Sequence, residues 1–543
     1  MQPATESANH PDDLVDYNLF TSNPALVDAL EREAAPTSQA SLQQLGERLG
    51  TRHLFELGET ANRNPPVLES FDRFGHRRDE VEFHPAWHEL MRLQVAEGLH
   101  TSPWAQPSPD AHVTRAAAYM LWAEIENGTQ CPATMTYGAV PALARQAGDF
   151  AEWIPKLLSR DYDEHLLPIA QKRGALMGMG MTEKQGGSDV RANSTRAEPA
   201  GTGGPGSEYR ITGHKWFFSA PMCDAFLVLA QARGGLSCFF VPRVLPDGTR
   251  NAIHIQRLKD KLGNRSNASS EVEFTDTYGR LVGEEGRGIP TILEMGVFTR
   301  LDCAIATAGI MRQCVSQAIH HARHRSAFGK LLIDQPLMRN VLADLAVECE
   351  AAIALAVRLA HAFDSQAESE AALRRVLTPV AKYWICKRGP AVGAEAMEVL
   401  GGNGYVEEGP IARRYRELPL NSIWEGSGNI MCLDVLRALS REPRALEALT
   451  ASWTGSRGRD DRFDRYVDRL LDDLRVGQIG EPQARSLTER IALATQAAIL
   501  LQGESSAVAA AFVASRITTG APAAFGVLPA ALDHRALIGR VLR

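Results

Sequence analysis

Eight cysteines in 543 residues, none of them in a C-x-x-C pair, leave no zinc-finger or thioredoxin-type spacing, and no metal site is expected. Cys131, Cys223, Cys238, Cys303, Cys314, Cys349, Cys386 and Cys432 sit mostly among apolar neighbours, which predicts reduced, buried thiols. No apolar run reaches 18 residues, so no membrane span is expected. The opening MQPATESANHPDD has no basic stretch followed by an apolar one; no secretory signal is expected, and the expected location is cytoplasmic. Neither sign of charge dominates. The 58 Lys+Arg against 65 Asp+Glu give −7, which does not advertise nucleic acid as a partner. A G-x-x-x-x-G-K-[ST] phosphate loop is also missing.

What is present is an ordinary globular composition, 44% hydrophobic and 23% charged, long enough for about three to four structural units. Residues 1–180 read as helix and loop. From 181 to 288 short β-rich runs (Tyr209-Arg-Ile-Thr, Phe226-Leu-Val-Leu, Ser237-Cys-Phe-Phe-Val, Ile253-His-Ile, Glu271-Val-Glu-Phe) alternate with Gly, Pro and Asp turns, predicting a small antiparallel β-domain. Helical periodicity returns over 289–440: Leu301, Ile305, Ala308, Met311, Val315 and Ile319 form one stripe, and Leu342 to Ala360 a second. A third run spans Leu377–Leu400, bent at Pro390, and a fourth follows Gly428, together predicting a four-helix bundle. Residues 441–543 form a helical extension with 14 Arg, no Lys and 12 Asp+Glu, hence +2, leaving −9 for the remainder. The fold class expected is α+β.

Four stretches carry candidate chemistry. Gly178-Met-Gly-Met-Thr-Glu-Lys-Gln-Gly-Gly-Ser-Asp189 offers backbone amides at Gly186 and Gly187 and hydroxyls at Thr182 and Ser188 to an anion, or is simply a flexible turn. Gly213-His-Lys-Trp-Phe-Phe-Ser219 is either a core strand or the wall of a planar cofactor, with core packing the commoner outcome. Asn421-Ser-Ile-Trp-Glu-Gly-Ser-Gly-Asn429 opens a helix whose free amides suit a phosphate or ring oxygen. Its Glu425, beside Trp424, is a candidate base or a helix-start charge. Arg323-His-Arg325-Ser-Ala-Phe-Gly329, followed by Gln335-Pro336, puts basic residues at a helix end, where dipole compensation is the plain explanation.

Taken in order, these stretches resemble the acyl-CoA dehydrogenase superfamily. Lys259-Asp-Lys-Leu-Gly-Asn-Arg-Ser266 and Glu398-Val-Leu-Gly-Gly-Asn-Gly-Tyr405 add to the resemblance, which covers about residues 115–440. It implies an N-terminal helical domain, a middle β-barrel and a four-helix bundle, with FAD held between barrel and bundle. By resemblance the cofactor residues are Met181, Thr182, Gly187, Ser188, Trp216, Phe217 and Ser219, together with Ile423, Trp424, Gly426, Ser427, Gly428 and Asn429. Phe217 stands where many relatives have Trp. Arg325, Phe328, Gln335, Gly401 and Gly402 match residues that a neighbouring subunit contributes, which implies a homotetramer. Glu398 stands where Gln is common, and a carboxylate near a phosphate is unfavourable. Glu425 matches the base that removes the α-proton of an acyl-CoA. Some relatives carry the base on an earlier helix; here that place holds Thr299, before Arg300, and these two are the expected substrate contacts.

The stretches around Met179–Val190, Asp260–Ser269 and Asn421–Arg437, with the extension, are similar to the superfamily's alkylation-response branch. That similarity implies FAD, double-stranded DNA bound without strong sequence preference through the extension, and weak isovaleryl-CoA-like dehydrogenase activity. The small molecule meeting the flavin would be an acyl-CoA or an alkylating agent. Arg437, Arg441 and Arg444 are the candidate DNA contacts, or else pair with acids such as Glu442 and Glu447. The alternatives are a metabolic acyl-CoA dehydrogenase with no DNA role and a DNA-coating protein in which FAD is structural.

Overall fold

The structure is a computed structural model that describes residues 9–34, 39–476 and 480–543. Its chain divides into two compact units, one built from residues 56–107 and 126–300, the other from residues up to 55, 108–125 and 301–543. No helix among the described residues is long and apolar enough to cross a membrane. All eight cysteines are buried and free.

The first unit carries a two-stranded hairpin and the seven-stranded sheet. β1 (Val67–Phe71) and β2 (Arg77–Glu82) form a hairpin inside the stretch expected to be helix and loop. VLESF and RRDEVE hold too many charges for a readable alternation, so the period concealed them. β3 (Met177–Thr182), β4 (Arg196–Pro199), β5 (Glu208–Ser219), β6 (Ala225–Ala232), β7 (Gly235–Pro242), β8 (Ile253–Leu258) and β9 (Ser269–Val282) make one seven-stranded sheet in the order β3-β5-β4-β6-β7-β9-β8. Added pairings of β3 with β6 and of β5 with β9 close it into a barrel. Antiparallel neighbours dominate, but β6 runs parallel to both β3 and β4. Alternation reports the face a residue takes, not the direction of its strand, so these parallel pairs had no signature. The run Ala225–Ala230 is buried throughout, as a strand covered on both faces must be.

The second unit is helical. α1 (Gly288–His324), α2 (Pro336–Asp364), α3 (Glu368–Val399) and α4 (Gly428–Arg441) are the long helices expected from the stripes. Both stripes, Leu301 to Ile319 and Leu342 to Ala360, are buried. α3 continues through Pro379 and Pro390. A proline inside a helix costs about 3 kcal/mol, which here is offset by the buried side chains on either side of both prolines, among them Val376, Val380, Ile385 and Val392.

The extension adds α5 (Pro443–Thr454), α6 (Asp461–Val476) and α7 (Ala484–Gln502). Phe463, Val467, Leu470 and Leu471 of α6 are buried, as their spacing required. α7 is buried from Ile491 to Leu500 and packs on α2, α3 and α4. Polar bonds fix this layer: Trp384 Nε1 of α3 donates to Gln496 Oε1 at 3.0 Å, and Trp453 Nε1 to Thr495 Oγ1 at 3.1 Å. Arg516, fully buried, pairs with Asp344 at 2.5 Å and Glu348 at 3.0 Å, both on α2. Arg540 bridges Glu350 and Asp28, while Arg312 and Arg323 of α1 donate to the carbonyls of Val541 and Leu542. The extension is therefore a layer of the helical core.

Candidate active site

In the barrel unit the candidate residues gather where β5 is irregular. Against β9 its register slips between Lys215 and Phe218, and β3 slips against it between Gly180 and Thr182. One extra residue in a strand re-aims its neighbours, and Trp216 and Phe217 consequently both turn away from the core. Phe218 is fully buried against Phe226, ring centroids 4.4 Å apart, whereas Phe217 is 51% exposed. Core packing, the commoner outcome for three adjacent aromatics, thus holds for Phe218 alone. Met181, Thr182 and Ser219 are half-buried; Gly187 and Ser188 are exposed. A Cβ at Gly187 would come within 2.5 Å of Thr182 Oγ1, so only glycine lets the backbone close over that hydroxyl. Lys259 Nζ lies 3.6 Å from the Trp216 ring centroid, with Lys184 Nζ at 5.5 Å and the Arg257 guanidinium at 5.6 Å. Against these three cations Glu271 supplies one carboxylate, bonded to both Arg257 and Lys259.

The Met181–Ser188 loop is anchored by two residues that sequence reasoning quoted without assigning them a part. Glu183 accepts from Lys215 Nζ at 2.7 Å, from the Ser194 amide and hydroxyl, and from the Thr195 amide. Both side chains are buried. Burial raises the Glu183 carboxyl, but Lys215 and the surrounding donors outweigh it and hold the group at about 2. Burial draws Lys215 down to about 8 against the pull of Glu183, so at neutral pH both remain charged. No spacing rule marks such a pair.

In the helical unit Glu425 and Gly426 both adopt positive φ, 60° and 107°. For a glutamate that is strained backbone, held only where its surroundings dictate it. They do so here. Trp424 Nε1 donates to Asn421 Oδ1 at 2.8 Å, Asn421 Nδ2 to Thr307 Oγ1 at 3.0 Å, and Thr307 Oγ1 to the Cys303 carbonyl at 2.7 Å. From α3, the buried Lys382 donates through Nζ to the Gly426 carbonyl at 2.5 Å. Glu425 and Trp424 are half-buried, and Ile423 is 62% exposed. Ser427 caps α4 without a side-chain bond, and a Cβ at Gly428 would press on Lys387 and Tyr383. Arg485 of α7 donates to Asn429 Oδ1 at 2.8 Å, so the extension braces this turn as well.

Arg325, Phe328 and Gln335 lie around a short hairpin, β10 (Ser326–Ala327) with β11 (Lys330–Leu331). Its two-residue turn puts Phe328 at φ 53° and Gly329 at φ 75°, the mirror-image turn that suits tight hairpins. Phe328 is 99% exposed. Gln335 Nε2 donates to the Ala327 carbonyl at 3.0 Å. Gly401 and Gly402 are exposed, beside an 80% exposed Tyr405. An N-terminal strap, unforeseen from sequence, joins these pieces. Asn9 exchanges two 2.8 Å bonds with the Ser326 backbone, Arg325 Nη1 donates to the Asn9 carbonyl at 2.6 Å, and His10 meets Asn403 at 3.5 Å. Asn9 and His10 are polar residues in an acidic segment, and nothing in their spacing advertises the contact.

Thr299 and Arg300 lie on α1 within the barrel unit. Thr299 is buried and donates to the Gly296 carbonyl at 3.1 Å, so its place holds no carboxylate; Arg300 is half-buried. Arg437, Arg441 and Arg444 are all exposed along the end of α4 and the start of α5. Arg437 approaches Asp434 at 3.7 Å and Arg444 pairs with Glu368, neither of them the acids Glu442 and Glu447 anticipated from the sequence.

Family models match three segments of the chain. The acyl-CoA dehydrogenase middle domain matches residues 178–277 and the acyl-CoA dehydrogenase C-terminal domain residues 286–440, which sets the class: FAD-dependent oxidoreductases of the acyl-CoA dehydrogenase type. The adaptive response protein AidB N-terminal domain matches residues 9–164, and AidB of Escherichia coli K12 is 51% identical over 93% of both chains. The chain belongs to the AidB branch of the acyl-CoA dehydrogenase family. Among solved structures, Caenorhabditis elegans ACDH-11 in complex with C11-CoA shares the fold with a TM-score of 0.83, 24% identity, and coverage of 100% of this chain and 93% of that one. A glutaryl-CoA dehydrogenase from Mycobacterium smegmatis in complex with FADH2 shares it at 0.60, with 19% identity and coverage of 77% and 98%. FAD is the family's cofactor. The residues here fit it: an outward-turned Phe217 offers a ring face, and the Gly187 backbone with Ser188 offers donors.

Proposed function

We propose that the chain is an AidB-type flavoprotein that binds double-stranded DNA without strong sequence preference, protects it during the adaptive response to alkylating agents, and retains weak acyl-CoA dehydrogenase activity. The strained turn presenting Glu425 carries the catalytic part, since an αL glutamate costs about 1–3 kcal/mol and persists where its surroundings over-determine it. When bound, FAD supplies the hydride acceptor. Glu425 takes the α-proton of the acyl thioester. Met181, Thr182, Phe217 and Ser219 are the proposed ring contacts, and Ser188 with the first-turn amides of α4 the polar ones. Arg325, Phe328, Gln335 and Gly401-Gly402 serve a neighbouring subunit in a tetramer. Slow bleaching of the flavin by isovaleryl-CoA, abolished in Glu425→Gln, is the expected result; bleaching that survives the substitution removes Glu425 from the role, and rapid bleaching favours a metabolic dehydrogenase.

The DNA part is supported by the AidB relationship and by Arg437, Arg441 and Arg444, three exposed guanidiniums grouped at one end of α4. Charge reversal tests it without cutting into the helical core. Arg437→Glu/Arg441→Glu/Arg444→Glu should keep the flavin spectrum and shallow the plot of log K against log salt by about 0.9 for each phosphate no longer neutralised. An unchanged slope moves the DNA surface elsewhere. A wild-type protein that ignores duplex DNA at low salt leaves a metabolic dehydrogenase.

A further inference from the structure

We infer that Lys382 is a positioning residue for Glu425, holding the left-handed Glu425–Gly426 turn through the Gly426 carbonyl and placing a buried positive charge beside the carboxylate. The inference rests on Glu425 being the base. Lys382 is 1% exposed on α3, and its Nζ bonds the carbonyl immediately after Glu425 at 2.5 Å. Both side chains also act electrostatically on the buried thiol of Cys303 on α1. Removing an ammonium from water is expensive unless its charge is used.

Other ionisable groups around the turn do not duplicate it. From α1, Cys303 is pushed well up by burial and stays a neutral thiol, and Asp302 is taken by Arg115 at 2.6 Å. From α3, Tyr383 is raised to about 12 and Cys386 is raised, both mainly by burial, and Lys387 is exposed beside Gly428. From α4, Cys432 is likewise raised by burial. From α7, Arg485 is exposed at Asn429, while Glu489 acts on Tyr383. Lys382 is the buried cation among them. A base must be ionised to accept a proton, and an adjacent ammonium favours the ionised form.

Three variants of the holoprotein separate the charge from the hydrogen bond. Lys382→Met loses both, Lys382→Gln keeps a donor without charge, and Lys382→Arg keeps the charge. Two readouts are taken. One is amide hydrogen exchange across residues 425–428. The other is exchange of the α-hydrogen of isovaleryl-CoA in D2O: the carboxylate removes the α-proton, solvent replaces it on the carboxyl, and a deuteron returns to carbon. Lys382→Met should expose the turn amides about 10-fold, and its α-exchange profile should have its acid limb raised by about 1–2 pH units, the effect of losing one close opposite charge. Lys382→Gln should recover amide protection but keep the raised limb, and Lys382→Arg should lower the limb again. Unaltered amide protection together with an unmoved limb in Lys382→Met overturns the inference. If Glu425→Gln still exchanges the α-hydrogen, or the wild type does not exchange it, the base assignment fails, and the amide readout alone then decides whether Lys382 holds the turn.

Discussion

Single residues decide whether the barrel presents its proposed cofactor contacts. Glu183 and Lys215 form a buried ion pair beneath the loop that offers Met181, Thr182 and Ser188. Replacing one partner leaves the other charge buried without compensation, which costs about 3–5 kcal/mol. Glu183→Gln should lower the thermal midpoint accordingly and release FAD on gel filtration, whereas Glu183→Gln with Lys215→Met should recover much of the lost stability. The pH dependence has a definite sign. The Glu183 carboxyl is lowered from 4.5 to about 2 on folding, so its stabilisation is complete above pH 4.5 and is lost as pH falls toward 2. A denaturation series from pH 5 to pH 2 should show this acid loss in the wild type and a shallower one in Glu183→Gln. Such a pair is illegible in sequence, since its members stand 32 positions apart and both belong to residue types normally found in solvent.

At the scale of elements, the sequence discloses what periodicity encodes and hides what pairing adds. The stripes of α1 and α2 and the strands β5 to β9 follow from apolar spacing alone. The outward turn of Trp216 and Phe217 does not, because an extra residue in a strand leaves the composition unchanged while reversing a face. Phe328 raises the same issue on a shorter element. A tight hairpin wants glycine or asparagine at its positive-φ positions, yet the first of them is phenylalanine, with its ring almost wholly in solvent. Evolution has accepted strain of about 1–2 kcal/mol there. Phe328→Gly should therefore leave the thermal midpoint of the FAD-free protein nearly unchanged, the relieved strain being offset by a more flexible unfolded chain. It should weaken FAD retention and formation of the proposed tetramer, as measured by light scattering. A variant that destabilises the apo-protein and keeps its FAD would make Phe328 a structural residue of its own hairpin.

Across the whole molecule, the extension's arginines divide into two groups that composition pools into a single count. Arg516 and Arg540 enter the helical core as partners of Asp344, Glu348, Glu350 and Asp28; Arg457, Arg462 and Arg490 pair with acids of the extension itself. Arg441, by contrast, is exposed and has no carboxylate partner among the described residues. The +2 net charge of the extension is thus a poor guide to what nucleic acid would meet, because much of the positive charge is spent inside. The same division predicts how the chain responds to shortening. Ending it at Ser440 would strip α7 from Trp384 and leave Asp344 and Glu348 buried without Arg516. Arg388 would then be the remaining guanidinium on Glu348, at 2.8 Å. A chain of residues 1–440 should accordingly bind a hydrophobic dye, lose its near-ultraviolet circular dichroism and fail to hold FAD. Arg516→Met in the full chain reproduces the electrostatic part alone. It should cost about 3–5 kcal/mol, read from denaturant titration of the holoprotein. Adding Asp344→Asn should return part of that loss, because the uncompensated carboxylate and not the missing guanidinium carries most of the penalty. If residues 1–440 instead fold and keep their flavin, the extension is a separable module, and the arginines buried within it need another explanation.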